Sequence, residues 1–145
     1  MKQKPLFTVD GETLTTTLLP PVRFVVEGFI PQGLHLLAGA SKIGKSWLAL
    51  WLCLQVAKGE KVWDFPSRRG DVLYLCLEDN YSRIQSRLLD ITDTAPGNLH
   101  FATASEKLRC GLEQQIQQFL AGHPHTVLVV IDTLQRVRGA GGGTN

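Results

Sequence analysis

The sequence predicts an α/β fold of three layers, a mostly parallel sheet with helices on both sides. Three observations carry that expectation. The runs "LHLLAG", "VLYLCL" and "TVLVVID" are apolar throughout, as strands buried on both faces must be. Stretches with apolar residues at helical spacing stand between them, so strand and helix alternate along the chain. Gly59 and Gly122 close the helical stretches as C-terminal stop signals.

Taken in order, residues 1–30 read as an irregular lead-in. They hold Pro5, Pro20 and Pro21 and alternate only in patches such as "VRFVVEGF", which predicts one or two short strands. A short buried strand follows at "LHLLAG", then a helix from Lys45 to Lys58. The turn-rich "DFPSRRGD" leads into the strand "VLYLCL". Tyr81, Ile84, Leu88 and Ile91 mark the next helix, with Asp79 and Asn80 as its N-caps. A short strand near "LHFAT" and a helix through Leu108, Leu112, Ile116, Phe119 and Leu120 come next. Thr103 and Glu106 have the spacing of a capping box for that helix. The expected organisation is therefore the lead-in 1–30, a nucleotide-binding core over 31–138, and a flexible Gly-rich tail 139–145.

Composition excludes several classes. A chain of 145 residues with 43% apolar and 19% charged residues suits one globular domain. A net charge of +2 without a long basic run does not announce nucleic acid. Cys53, Cys76 and Cys110 are odd in number and widely spaced, which argues against a disulfide framework or zinc site and for a reducing compartment. "MKQKPLF" lacks a signal peptide's apolar stretch, and "WLALWLCL" is far too short to span a membrane. A cytoplasmic protein with no membrane partner is expected.

The stretch "GASKIGKS" matches GxxxxGK[ST], with Gly39, Gly44, Lys45 and Ser46 at the fixed positions. Glycines let successive backbone N–H groups of Gly39, Ala40, Ser41, Lys42, Ile43 and Gly44 curl around a β-phosphate, and the following helix adds its positive end. Lys45 would reach the β- and γ-phosphates, Ser46 would ligate Mg²⁺, and Trp47 would follow on the same first turn. The preceding strand and following helix are the context that this motif requires. Neither an NKxD base reader nor a DxxG switch occurs, which argues against a guanine-binding protein.

Asp132 ends the apolar strand "VLVVID", where a second Mg²⁺ partner acting through water is expected. The bland alternative is a carboxylate capping whatever follows. Thr133 comes next rather than Glu, so a hydrolytic base must come from elsewhere. Glu78, at the end of "VLYLCLE", can orient and deprotonate a water for attack on the γ-phosphate, or can be an ordinary polar strand end.

Phosphate loop, Glu78 and Asp132 together resemble the RecA-like P-loop ATPases. The segments "LLAGASKIGKSWLAL", "VLYLCLED" and "VLVVIDTLQRV", with the lead-in "PPVRFVVEGFIPQG", are most similar to RepA-type hexameric replicative helicases, over roughly Pro20 to the end. That resemblance implies a Mg-dependent ATPase of DNA replication or recombination, assembling as a homo-oligomeric hexameric ring on single-stranded DNA. It also implies further strands beyond Asp132, so the core is expected to be incomplete at the C-terminus and hydrolysis weak or absent. The tail "RVRGAGGGTN" has two readings, DNA-phosphate contact through Arg136 and Arg138 or a flexible end. A rival function is a nucleotide-binding switch module acting on protein partners without DNA. His123 and His125 read as loop residues, Trp47 and Trp51 as core or interface aromatics. Arg68, Arg69, Arg83 and Arg87 read as solvent-facing.

Overall fold

Alternation of strand and helix is what the computed structural model of the chain displays, over the residues it describes, 3–38 and 44–139. In chain order the elements are α1 (Gly11–Thr16), β1 (Phe24–Val26), β2 (Ile30–Pro31), α2 (Lys45–Lys58), β3 (Asp71–Cys76), α3 (Tyr81–Ile91), β4 (Leu99–Ala102), α4 (Leu112–Gly122), β5 (Thr126–Asp132) and the single turn α5 (Leu134–Val137). The main sheet has the order β4-β3-β5 and is parallel throughout. Tyr74 lies opposite Phe101 on one side and Val130 on the other, and Cys76 lies opposite Asp132.

The period of two along a strand divides the core into two layers. Val72, Tyr74 and Cys76 of β3 join Leu50, Cys53, Leu54 and Ala57 of α2 and Ile84 of α3 on one face. Leu73 and Leu75 point to the other, where Leu112 of α4 and Val137 of α5 are buried with them. The α/β, three-layer class with a parallel sheet flanked by helices is therefore the observed architecture.

Local signals explain the helices. α2 is apolar around most of its circumference and buries Ala49, Leu50, Cys53, Leu54, Val56 and Ala57. It stops at Gly59, whose φ of 72° lies in the left-handed region. The Gly59 N–H donates to Val56 O at 3.1 Å and the Glu60 N–H to Gln55 O at 2.9 Å, which satisfies the last carbonyls. α3 is capped by Asn80, whose side chain accepts from the Arg83 N–H at 2.9 Å. At the rim where the strands begin, the Asn98 side-chain amide donates to Ala57 O at 2.8 Å and Gly70 O at 2.9 Å. One side chain thus joins the end of α2 to the starts of β3 and β4.

Several expectations are corrected. No strand forms over the described part of "LHLLAG", residues 34–38; Leu34 is 93%, Leu36 77% and Leu37 59% exposed. Apolar content marks a segment fit for burial, but pairing is a long-range choice that the local pattern does not encode. The capping box of Thr103 and Glu106 does not form, because α4 starts later, after Gly111. Its Glu113 carboxylate accepts the Arg109 N–H at 2.8 Å instead, which holds the Glu113 carboxyl below its usual range. The lead-in has its short hairpin, β1 against β2, and also α1, which the sequence did not suggest. There Asp10 accepts the Thr13 N–H at 2.7 Å in "DGET". All three cysteines are free, Cys53 and Cys76 buried and Cys110 exposed. No described helix is long and apolar enough to cross a membrane.

Candidate functional site

The carboxyl ends of β3 and β5 meet the first turn of α2, and the candidate site is built there. Gly44, the residue before α2, has φ 84°, a conformation that side chains disfavour and that turns the chain sharply into the helix. The turn aims Ser46 at β5, where its Oγ donates to Asp132 Oδ2 at 2.8 Å. The Tyr74 hydroxyl, rising from the middle of β3, donates to the same oxygen at 3.1 Å. Burial and the adjacent Asp132 carboxylate push the Tyr74 hydroxyl well above its usual range, so it stays a donor. Burial, with the Asp79 and Asp132 charges, likewise pushes the Cys76 thiol up to about 12.

A hydroxyl and a carboxylate brought together are hard oxygen donors of the kind magnesium takes. Magnesium uses one or two protein carboxylates and completes its shell with phosphate and water. Among the described residues no three His, Cys, Asp or Glu side chains converge as a metal cluster. Ser46 and Asp132 could therefore hold such an ion together with a phosphate.

Glu78 stands on the same rim. The Leu77 N–H donates to Asp132 O at 2.9 Å, which carries the β3–β5 pairing one step further and sets Glu78 beside Thr133. Glu78 Oε1 accepts from Thr133 Oγ1 at 3.1 Å and lies 3.4 Å from Arg136 Nε. Its neighbour Asp79 turns the other way, to Arg87 at 2.6 Å and Arg83 at 3.7 Å. The Arg87 guanidinium also lies 5.8 Å from the centre of the Trp47 ring.

A family described as AAA domain matches residues 3–145. The chain belongs to the AAA domain family. It is accordingly a nucleotide-binding, ATPase-like domain. No curated protein and no solved structure matches it.

Within this AAA domain the structure joins Ser46 to Asp132 across the helix–strand junction, and Glu78 to Arg136 beside it. Lys45 opens α2 and is half-buried. Trp47 is 42% exposed, while Trp51 packs against Trp63 with ring centres 5.6 Å apart. Gly39, Ala40, Ser41, Lys42 and Ile43 lie outside the described residues. Arg136 sits on α5, a turn anchored by buried Val137, whose carbonyl accepts the Leu108 N–H at 2.7 Å. Arg138 follows it and is exposed.

Two assignments change. Asn80 alone caps α3, because Asp79 is taken by the arginines. Arg87 is no solvent-facing residue, with its side chain 27% exposed between Asp79 and Trp47. His123 lies in the loop after α4, as expected, where its ring stacks on Phe119 at 4.0 Å and meets the His100 ring at 4.6 Å. Sequence reasoning missed Tyr74, Thr133 and the Glu78–Arg136 contact. Tyr74 did leave a signal, as the one polar-tipped residue inside the apolar run "VLYLCL".

Proposed function

We propose that this AAA domain binds MgATP through the segment 39–47 and hydrolyses it to ADP and phosphate. The observation that carries the reading is the 2.8 Å contact of Ser46 with Asp132, with Glu78 on the same rim. In this reading Lys45 would neutralise the β- and γ-phosphates, and Ser46 with Asp132 would hold Mg²⁺. The metal supplies charge neutralisation at the transferred phosphoryl group. Glu78 orients the attacking water and takes its proton as the new P–O bond forms and the bond to ADP breaks.

The likeness of "LLAGASKIGKSWLAL", "VLYLCLED" and "VLVVIDTLQRV" to RepA-type helicases supports a role on single-stranded DNA within a homo-hexameric ring. Arg136 and Arg138 near the site would add salt-sensitive contacts to DNA phosphates. The engagement of Glu78 by Thr133 and Arg136 favours a second reading, a nucleotide-dependent switch for protein partners. Stimulation of hydrolysis by single-stranded DNA separates the two.

The deciding experiment is a nucleotide titration of wild type, Lys45→Ala and Glu78→Gln. Lys45→Ala should lose binding, while Glu78→Gln should bind and not hydrolyse. Normal hydrolysis by Glu78→Gln would remove Glu78 from the role of base.

A further inference from the structure

At the rim where the strands begin, three segments distant in the chain meet around a cleft of about 250 Å³. Arg23 just before β1, Arg68 and Arg69 in the turn before β3, and His125 just before β5 line it, with Gln32 and Thr126. Ser46, Glu78 and Asp132 stand at the opposite rim, so the cleft is separate from the candidate nucleotide site. Among the described residues none of its three arginines forms an ion pair; the pairs engage Arg83, Arg87, His100 and Arg136 instead. Like charges gathered around one small hollow repel, and an anion seated between them offsets that repulsion. We propose that the cleft is a second anion site, which binds a compact phosphate or diphosphate group of a small ligand independently of the segment 39–47.

The backbone that carries these side chains is fixed by bonds of its own. The Arg68 N–H donates to Val25 O at 2.8 Å and the Glu27 N–H to Pro66 O at 2.7 Å, which lays the arginine turn along β1. The Gln32 N–H donates to Arg23 O at 2.7 Å and closes the hairpin at Arg23. The Asp71 N–H donates to His125 O at 3.1 Å. Gly70 permits that approach, because a Cβ there would stand 2.5 Å from His125 O and 2.6 Å from Val127 Cγ1. The Arg69 stem lies against the end of α2, where a Cβ on Gly59 would meet the Arg69 Cβ at 2.8 Å. The guanidinium ends are left to be ordered by a ligand, and each presents a planar fork that matches phosphate oxygens two at a time. A phosphodiester brings a single charge and a phosphate monoester about two at neutral pH, so three arginines suit the compact group better. The volume lies below the roughly 300–1,000 Å³ of pockets that enclose whole small molecules, which suits a head group rather than a base and sugar.

Calorimetric titration with inorganic pyrophosphate, without magnesium, tests the proposal in the Lys45→Ala protein, where the segment 39–47 does not compete. One equivalent should bind. Arg23→Gln, Arg68→Gln and Arg69→Gln, added singly, keep an aliphatic stem and remove the charge. Each should weaken binding about tenfold, as the loss of a hydrogen bond to a charged group does. Arg109→Gln, exposed and outside the cleft, should leave it unchanged. With Lys45 intact, the three cleft variants should bind fluorescent ADP as wild type does. Pyrophosphate binding that vanishes with Lys45→Ala alone, that survives undiminished in the cleft variants, or that falls equally in Arg109→Gln overturns the site. Loss of ADP affinity in the cleft variants overturns its independence. Oligothymidylate that binds Lys45→Ala more tightly than pyrophosphate, with the same arginine dependence, makes the cleft a polynucleotide contact and overturns the small-ligand assignment. The arginine dependence locates the pyrophosphate even where Lys45→Ala retains nucleotide, so this proposal and the MgATP reading fail separately.

Discussion

Asp132 is the residue through which the site is organised, and its own supports are as informative as its position. Its Oδ2 receives two hydroxyl hydrogens, from Ser46 and from Tyr74. Tyr74 touches no phosphate position in the proposed scheme; it fixes the carboxylate from beneath. Tyr74→Phe keeps the ring in the core and removes one donor. It should cost about 0.5–1.5 kcal/mol in denaturant unfolding. It should also weaken magnesium binding to the nucleotide complex about tenfold, as expected when a metal ligand loses its outer partner. An unchanged magnesium titration would leave Tyr74 as a core residue alone. The same cluster sets a pH limit. The Cys76 thiol is raised from 9.0 to about 12 in the folded chain, and burial moves Cys53 and Tyr74 the same way. A raised acid binds its proton more tightly when folded, so the stability it contributes is present below about pH 9 and is lost as pH climbs toward 12. Melting temperatures should fall over that window and fall less in Cys76→Ala; equal slopes would contradict the assignment.

At the scale of elements, the reliability of the sequence followed how local each signal was. The bounds of α2 are written in the chain around it: Gly44 before Lys45, and Gly59 after Lys58. Gly59→Ala tests this. The substitution would place an L-residue at φ 72° and bring its Cβ within 2.8 Å of the Arg69 Cβ. A loss of about 1–2 kcal/mol is expected from the left-handed conformation alone, read by chemical denaturation. A neutral result would mean that α2 can end differently. α4 shows the opposite case. Thr103 and Glu106 have capping-box spacing, yet the helix begins beyond them, because Glu113 reaches back to the Arg109 N–H and Gly111 makes the turn. Side chains that cap from inside the helix leave no fixed spacing to find. The strand expected at residues 34–38 failed for a related reason, since its partner would be distant in sequence.

Over the whole molecule, the parallel sheet was legible because β3 and β5 are apolar on both faces, and only a sheet covered on both sides hides such strands. Ser46 and Asp132 were legible as candidates because one lies in the first turn of α2 and the other closes β5, and Glu78 because it follows the end of β3 by two residues. The Glu78–Arg136 contact was not, because the two residues come together only after β3 and β5 pair. That pairing makes β3 the best-protected strand, with a neighbour on each side and buried residues on each face. Its amides should exchange slowest with deuterium, and those of α1, which buries no residue, fastest. Comparable exchange in both would contradict this layering. The amide of Asn98 carries the last consequence. It fastens the end of α2 and the starts of β3 and β4 at one rim, while the candidate chemistry lies at the other. β3 has six residues and so reaches roughly 20 Å from that fastening. A strand hinged there is a lever: a tilt of about 3° at the base carries Glu78 about 1 Å at the tip. Misplacement on that scale can cost about a hundredfold in rate. An asparagine at the opposite end of the sheet thus bears on the aim of the candidate rim, and Asn98→Ala should lower any hydrolysis without touching the nucleotide.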